Sequence, residues 1–122
     1  MSMAVHSIED LVCQYAAGKR DFQETELPYA DLSGIHLAGA DLSYADFSGA
    51  NLTRSNLRGC DLSFADFRGA NLSGADLRGC LLFGSNFQGA DLEGALWDQS
   101  DFDAYTHFPE KFDPRAHHMR EV

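Results

Sequence analysis

A leucine or an aromatic residue falls at every fifth position of the chain from Phe22 to Phe102. Seventeen consecutive positions obey the rule, through Leu27, Leu32, Leu37, Leu42 and Phe47 to Leu92 and Trp97, and none is skipped. This residue is the centre of a five-residue unit. Two positions before it lies a small residue in most units, such as Ala40, Ala45, Cys60, Ala65, Cys80 or Ser100. Immediately before it lies Asp, Asn or Glu in most units, and two positions after it most units between Gly34 and Gly94 carry Gly. A helix face repeats every ~3.6 residues and a strand face about every 2, so a period of five fits neither. The chain must turn a corner in every unit. The recurrent Gly suits that need, because many tight turns require a positive φ.

A longer period is superimposed. Residues 41–60 match residues 61–80 at 14 of 20 positions, whereas 41–60 against 51–70 match at only 5 of 20. Twenty residues therefore make one coil with four sides, and seventeen units make just over four coils. With about 4.8 Å between stacked strands, the rod is roughly 20 Å long. Sorted by coil, the centres form four columns. Phe22, Leu42, Leu62, Leu82 and Phe102 make the first, and Leu27, Phe47, Phe67 and Phe87 the second. Leu32, Leu52, Leu72 and Leu92 make the third, and Leu37, Leu57, Leu77 and Trp97 the fourth. Burying each centre contributes roughly 1.5–3 kcal/mol. The small residues leave room for the large ones, so Ala65→Leu is expected to overpack the interior.

The ends of such a stack expose its core and need covers. In residues 1–19, Ser7-Ile8-Glu9-Asp10 reads as a helix start with an approximate capping box. Val5, Ile8, Leu11, Val12 and Tyr15 then follow helical spacing, and Gly18 suits the exit. This predicts a capping helix over 7–17. Residues 20–104 form the solenoid. Residues 105–122 carry Phe108, Pro109, Phe112 and Pro114, which predicts a tail folded over the open coil, with a short helix near 114–119. Covers at both ends predict a monomer.

The A-D/N-L/F-S/R-G unit resembles that of the pentapeptide-repeat family, over about 85 of the 122 residues. The resemblance implies an all-β fold, a right-handed quadrilateral β-helix. The centre and the small residue two before it then point inward, and the other three residues face out. The units of Leu82 and Trp97 depart from the pattern, with Leu81 and Leu96 in the Asp or Asn place, and the units of Phe22 and Leu27 are irregular, which predicts a looser first coil. The flanks are similar to those of small cyanobacterial members. The resemblance also implies a rival function. Long members resemble duplex DNA in shape and charge and inhibit DNA gyrase. This chain has half or fewer of their coils, and covers where those proteins dimerise through an end. A supercoiling assay separates that reading from the others.

Composition narrows the function. The formal charge is −10, from 19 acids against 9 bases, which argues against generic nucleic-acid binding and permits a basic partner. Cys13, Cys60 and Cys80 form no CxxC or Cys/His pattern, which points to a reducing compartment. The first residues show no basic n-region and no apolar run of signal length. No stretch approaches the ~20 apolar residues of a membrane span. Together these predict a cytoplasmic protein without membrane contact. Cys60 and Cys80 share one inward position a coil apart, and parallel, in-register side chains orient poorly for a disulfide. They are expected to be inert core thiols.

Candidate chemistry is sparse. No GxGxxG, Walker, GxSxG, HExxH or EF-hand spacing occurs, so no cofactor is expected. A general acid/base pair needs a cleft and separated pKa values, and a convex rod predicts neither. A calcium-type site needs about six or more converging oxygens. His107, His117 and His118 read as solvated tail residues rather than ligands. Catalytic and metal residues are therefore not expected, and the protein is read as a non-enzyme.

The acids are uneven: Asp21, Asp41, Asp61 and Asp101 fall on the first face and Glu26, Asp46 and Asp66 on the second, whereas Arg54, Arg58 and Arg78 fall on the others. Either these acids form a surface for a basic partner, or they hydrogen-bond the backbone of their own turns. The sharpest anomaly is aromatic. Tyr44 and Phe64 replace Gly after their centres and should stack on the first face, with Leu81 and Phe83 flanking Leu82 one coil on. With Asp41 and Asp61 these four residues form a candidate patch for an unidentified protein partner. The alternative is that the tail packs over Leu81 and Phe83, while Tyr44 and Phe64 only cover a corner. The expected role is a non-enzymatic interaction or scaffold protein, with a purely structural rod as the rival.

Overall fold

A computed structural model describes residues 4–122. The chain winds as a right-handed quadrilateral β-helix, and its unit can be read from one corner. The Leu42 carbonyl accepts the Ala45 N–H at 3.1 Å, and the Leu62 carbonyl accepts that of Ala65 at 3.1 Å. The third residue of each such turn has positive φ, as at Gly49 (66°) and Gly69 (68°). A positive φ at the third residue only is the geometry of a type II turn, which explains the Gly. Between corners each side contributes one backbone rung. Asp41 pairs in parallel with Asp21 below and Asp61 above, Asn51 with Asp31 and Asn71, and Asp46 with Glu26 and Asp66. These partners are twenty residues apart, the coil length that the sequence repeat predicts.

The inward positions make one continuous core from Val5 to Met119. The small residues are polar in places, and most of those polar atoms are served locally, the buried Ser55 hydroxyl being left without a partner among the described residues. Thr25, Ser85 and Ser100 donate their hydroxyls to the carbonyls of Phe22, Leu82 and Trp97, at 2.7, 2.5 and 2.6 Å. Cys60 and Cys80 donate their thiols to the carbonyls of Leu37 and Leu57 in the coil below. Both are buried and free. Burial pushes the Cys60 thiol up to about 12 and raises that of Cys80 as well, so neither forms a reactive thiolate near neutrality.

The N-terminal cover is helix α1, Ile8–Ala16. Ser7 caps it by accepting the Asp10 N–H at 3.1 Å, and Gly18 leaves it at φ 100°. Its Leu11 and the preceding Val5 are buried, and the Val5 carbonyl accepts the Glu26 N–H at 2.8 Å. Tyr15 stacks on Phe22, donates its hydroxyl to the Ala38 carbonyl at 2.7 Å, and carries the Arg20 guanidinium over its ring. The first coil is consequently not loose. Phe22 and Leu27 are buried and their rungs are in register, because Thr25 fills the small position and the helix closes the floor.

The C-terminal end continues the winding with altered step. Strand β1, Asp101–Phe102, pairs in parallel with β2, Arg120–Glu121, nineteen residues on. On the second face Asn86 pairs with His107, twenty-one residues on, so the intervening corner holds an extra residue. That shift places Phe108 on Phe87, with ring centroids 5.8 Å apart and planes 4° apart. The ladder of Phe47, Phe67 and Phe87 therefore gains a fourth ring. Phe112 stacks on Phe108 and meets Trp97 edge-on, and a 3-10 turn, Pro114–His117, leads to the buried Met119.

Candidate interaction surface on the first face

The residue two after each centre stands at the apex of its corner, and stacking the coils aligns these apices in columns. Gly fills most of them. Glu24, Tyr29, Tyr44, Arg54, Phe64 and Gln99 hold the same left-handed backbone without being Gly, at φ between 56° and 65°. An L-residue enters that region at a cost of roughly 1–2 kcal/mol, and bulky side chains do so rarely. Tyr44 and Phe64 are neighbours in one column. Their rings stack at 5.1 Å and 12°, and they are 58% and 52% exposed. The Phe64 ring lies over the next apex, where a Cβ on Gly84 would come within 2.6 Å of it.

Leu81 and Phe83 adjoin this pair through the backbone. Leu81 is the rung above Asp61, and the Phe83 carbonyl accepts the Phe64 N–H at 2.8 Å. Leu81 is 37% exposed and Phe83 is half-buried. The tail thus leaves Tyr44, Phe64 and Leu81 open to solvent.

The acids bond within their own turns, one of the two readings the sequence allowed. Asp41 Oδ1 accepts the Ser43 N–H at 3.0 Å and its hydroxyl at 2.7 Å, and Asp61 Oδ1 accepts the Ser63 N–H at 3.0 Å. The same bond to the residue two on recurs at Asp31, Asp46, Asn51, Asn56, Asn71 and Asp91. One carboxylate oxygen is therefore a turn element and the other is left over. Ion pairs then divide the acids. Asp66 is held by Arg68 and Asp76 by Arg78, each through a contact of 2.7 Å, and Asp101 by Arg120 at 2.8 Å. The hydrogen-bonded guanidiniums keep Asp66 and Asp76 below the usual carboxylate range. Asp41 and Asp61 have no cation partner among the described residues. The negative charge beside Tyr44 and Phe64 is thus uncompensated, whereas part of that on the second face is neutralised.

A depression of about 450 Å³ lies on the fourth face, between Arg58, Arg78 and Asp98. Its Arg78 is already spent on Asp76, and its Gly59 and Gly79 amides are spent on the coil above. The first face remains the better candidate. Two features escaped sequence reasoning. Tyr29 is an apex aromatic like Tyr44, 82% exposed, and its offset of two from Leu27 would have revealed it. Leu92 is the one centre residue that is not fully buried, and no sequence signal marks it. Among the described residues, no group of three or more His, Cys, Asp or Glu could hold a metal ion. None of their helices is long and apolar enough to cross a membrane.

The repeats match the family model described as pentapeptide repeats, in 8 copies, over residues 21–59, 45–84 and 60–96. Among solved structures, alr5209, a pentapeptide repeat protein from Nostoc Pcc 7120, is 45% identical and superposes with a TM-score of 0.97. That match covers 99% of this chain and 100% of the other. Rfr23, a pentapeptide repeat protein from the cyanobacterium Cyanothece 51142, is 28% identical with a TM-score of 0.52, over 72% of this chain and 63% of that one. No curated protein matches the chain.

Proposed function

The chain belongs to the pentapeptide-repeat family, whose members are generally non-enzymatic structural or interaction proteins, and on that premise we propose that its first face docks a protein partner bearing basic residues. One observation carries the reading. Tyr44 and Phe64 occupy apex positions that Gly fills more comfortably, and their rings stack in the open. Neither ring is needed to close a corner, since Gly84 closes the next corner of the same column and Gly closes most corners of the others. Two exposed rings beside uncompensated Asp41 and Asp61 suit a basic segment, whose Lys or Arg can lie over the ring faces and meet the carboxylates. The rod itself is a rigid, monomeric support. The neutralised acids at Asp66, Asp76 and Asp101 interrupt the continuous negative stripe that a duplex mimic would want.

Affinity capture from the native host tests this, with the parent and a Tyr44→Ser/Phe64→Ser variant as paired baits. A protein retained by the parent and lost by an equally folded variant supports the surface. Identical retained sets from both baits sink it. Light scattering checks the monomer, and a dimer mass refutes it.

A further inference from the structure

The C-terminal end of the rod is closed unevenly. On the first face β2 supplies the next rung, on the second His107 does, and on the fourth the His118 carbonyl accepts the Gln99 N–H at 3.1 Å. The third face receives none from the described residues. One coil lower, that face shows what a next strand would use. The Ala70 carbonyl accepts the Asp91 N–H at 2.9 Å, the Leu72 N–H donates to the Asp91 carbonyl at 2.8 Å, and the Gly74 N–H donates to the Glu93 carbonyl at 2.9 Å. The equivalent groups at the top are the Ala90 carbonyl and the amides of Leu92 and Gly94, and none of the three has a hydrogen-bond partner among the described residues. Leu92, the last residue of the third column, is correspondingly short of cover. A cavity of about 330 Å³ lies above it, between Leu92, Glu93 and Gly94 on one side and Pro109, Lys111 and Phe112 on the other.

We propose that this edge is a strand-addition site for an extended peptide segment with one large apolar residue flanked by basic ones. The main-chain groups at Ala90, Leu92 and Gly94 repeat the acceptor-donor-donor set that holds Asp91 and Glu93 one coil below, so an added strand bonds there in the register of the rod. Its apolar side chain enters the cavity and continues the column of Leu52, Leu72 and Leu92. Backbone pairing gives such a site its affinity, and a pocket at one side chain gives it specificity. The basic flanks follow from the rim, where Asp91, Glu93 and Glu110 outnumber Lys111 and the whole chain carries −10. The site lies at the end of the rod and is independent of Tyr44 and Phe64.

Amide hydrogen exchange with synthetic peptides tests it on the full chain. In the free protein the Leu92 and Gly94 amides exchange fast and those of Leu72 and Gly74 slowly. A short peptide with one Leu between lysines slows Leu92 and Gly94 by about tenfold or more, as pairing of an open edge should. The same peptide N-methylated at the residue facing Ala90 binds about tenfold more weakly, the scale of one lost backbone hydrogen bond. A version with Glu in place of Lys is weaker too. The Tyr44→Ser/Phe64→Ser variant responds as the parent does, so failure of the first-face reading leaves this result intact. Leu92 and Gly94 amides as protected as Leu72 and Gly74 without peptide overturn the proposal. So does equal binding of the N-methylated peptide, or no binding of the lysine peptide.

Discussion

Phe64 and Phe67 lie three residues apart and meet opposite conditions. Phe67 is sealed in the second column, its ring parallel to that of Phe87 at 5.0 Å and close to that of Phe47 at 5.5 Å. Phe64 stands at an apex with φ 61°, more than half exposed, against Tyr44. The same side chain contributes strongly to stability in one place, whereas in the other its stacking is offset by backbone strain. Inward columns are therefore the register of the fold, and apices are the positions where the rod can carry something the fold does not require.

Truncating the column should produce the largest effect. Phe67→Ala removes a ring that touches rings above and below, and it should cost about 3–5 kcal/mol. Chemical denaturation measures this. A loss below about 1 kcal/mol would put Phe67 in the range of surface substitutions and dissolve the contrast with Phe64.

Gly84→Ala crosses from one region to the other and should rank next. A Cβ there would lie 2.6 Å from the Phe64 ring, on a backbone at φ 68° that L-residues avoid. The strain alone is about 1–2 kcal/mol, and the ring must also move. Gly34→Ala meets the strain without the collision, since no atom lies within 4 Å of that site. Thermal melts of the two variants should therefore differ, with Gly84→Ala the less stable. Equal melting temperatures would mean that the Phe64 ring is not held over Gly84.

The columns were legible because stacking forces identical positions to recur, and a period of twenty survives any single irregular unit. Helix α1 was legible for the same kind of local reason, and its limits at Ile8 and Ala16 fall one residue inside the expected ones. Where the chain leaves the repeat, the signal ends. Nothing in Ala104-Tyr105-Thr106 announces the extra residue that moves Phe108 into the phenylalanine column. The pairing of Arg68 with Asp66 was hidden because sorting acids by face ignores cations two residues away around the same corner. At the candidate surface, the positions of Tyr44 and Phe64 were readable, but their exposure was not, since it depends on the path of the tail. The uncovered Leu92 has the same cause.

The charged rim offers a smaller effect. Asp66 and Asp76 have folded pKa values depressed first by side-chain hydrogen bonds from Arg68 and Arg78. A depressed carboxylate contributes stability above its unfolded pKa of about 3.9, and that contribution disappears as pH falls through the folded value. Stability should thus decline below about pH 4, and Arg68→Gln with Arg78→Gln should flatten that decline. Melting temperature against pH provides the check. An acid limb unchanged in the double variant would show that these pairs do not hold their acids in solution, and Asp41 and Asp61 would then lose their distinction as uncompensated acids.

The smallest stability change belongs to the apex itself, and it bears most directly on function. Tyr44→Gly relieves a left-handed tyrosine, worth about 1–2 kcal/mol. It gives up a stacked ring pair worth about 0.5–1.5 kcal/mol and increases unfolded-chain entropy by about 0.5–1 kcal/mol. These nearly cancel, so Tyr44→Gly and Phe64→Gly should each change stability by about 1 kcal/mol or less, although the second removes a whole aromatic side chain just as Phe67→Ala nearly does. Denaturation of both single variants and of the double variant measures the balance. If the double variant stays as stable as the parent and loses its partner, the two rings are an accessory to the rod rather than part of it. If Phe64→Gly instead costs as much as Phe67→Ala, the apex rings are structural, and the docking surface must be sought elsewhere.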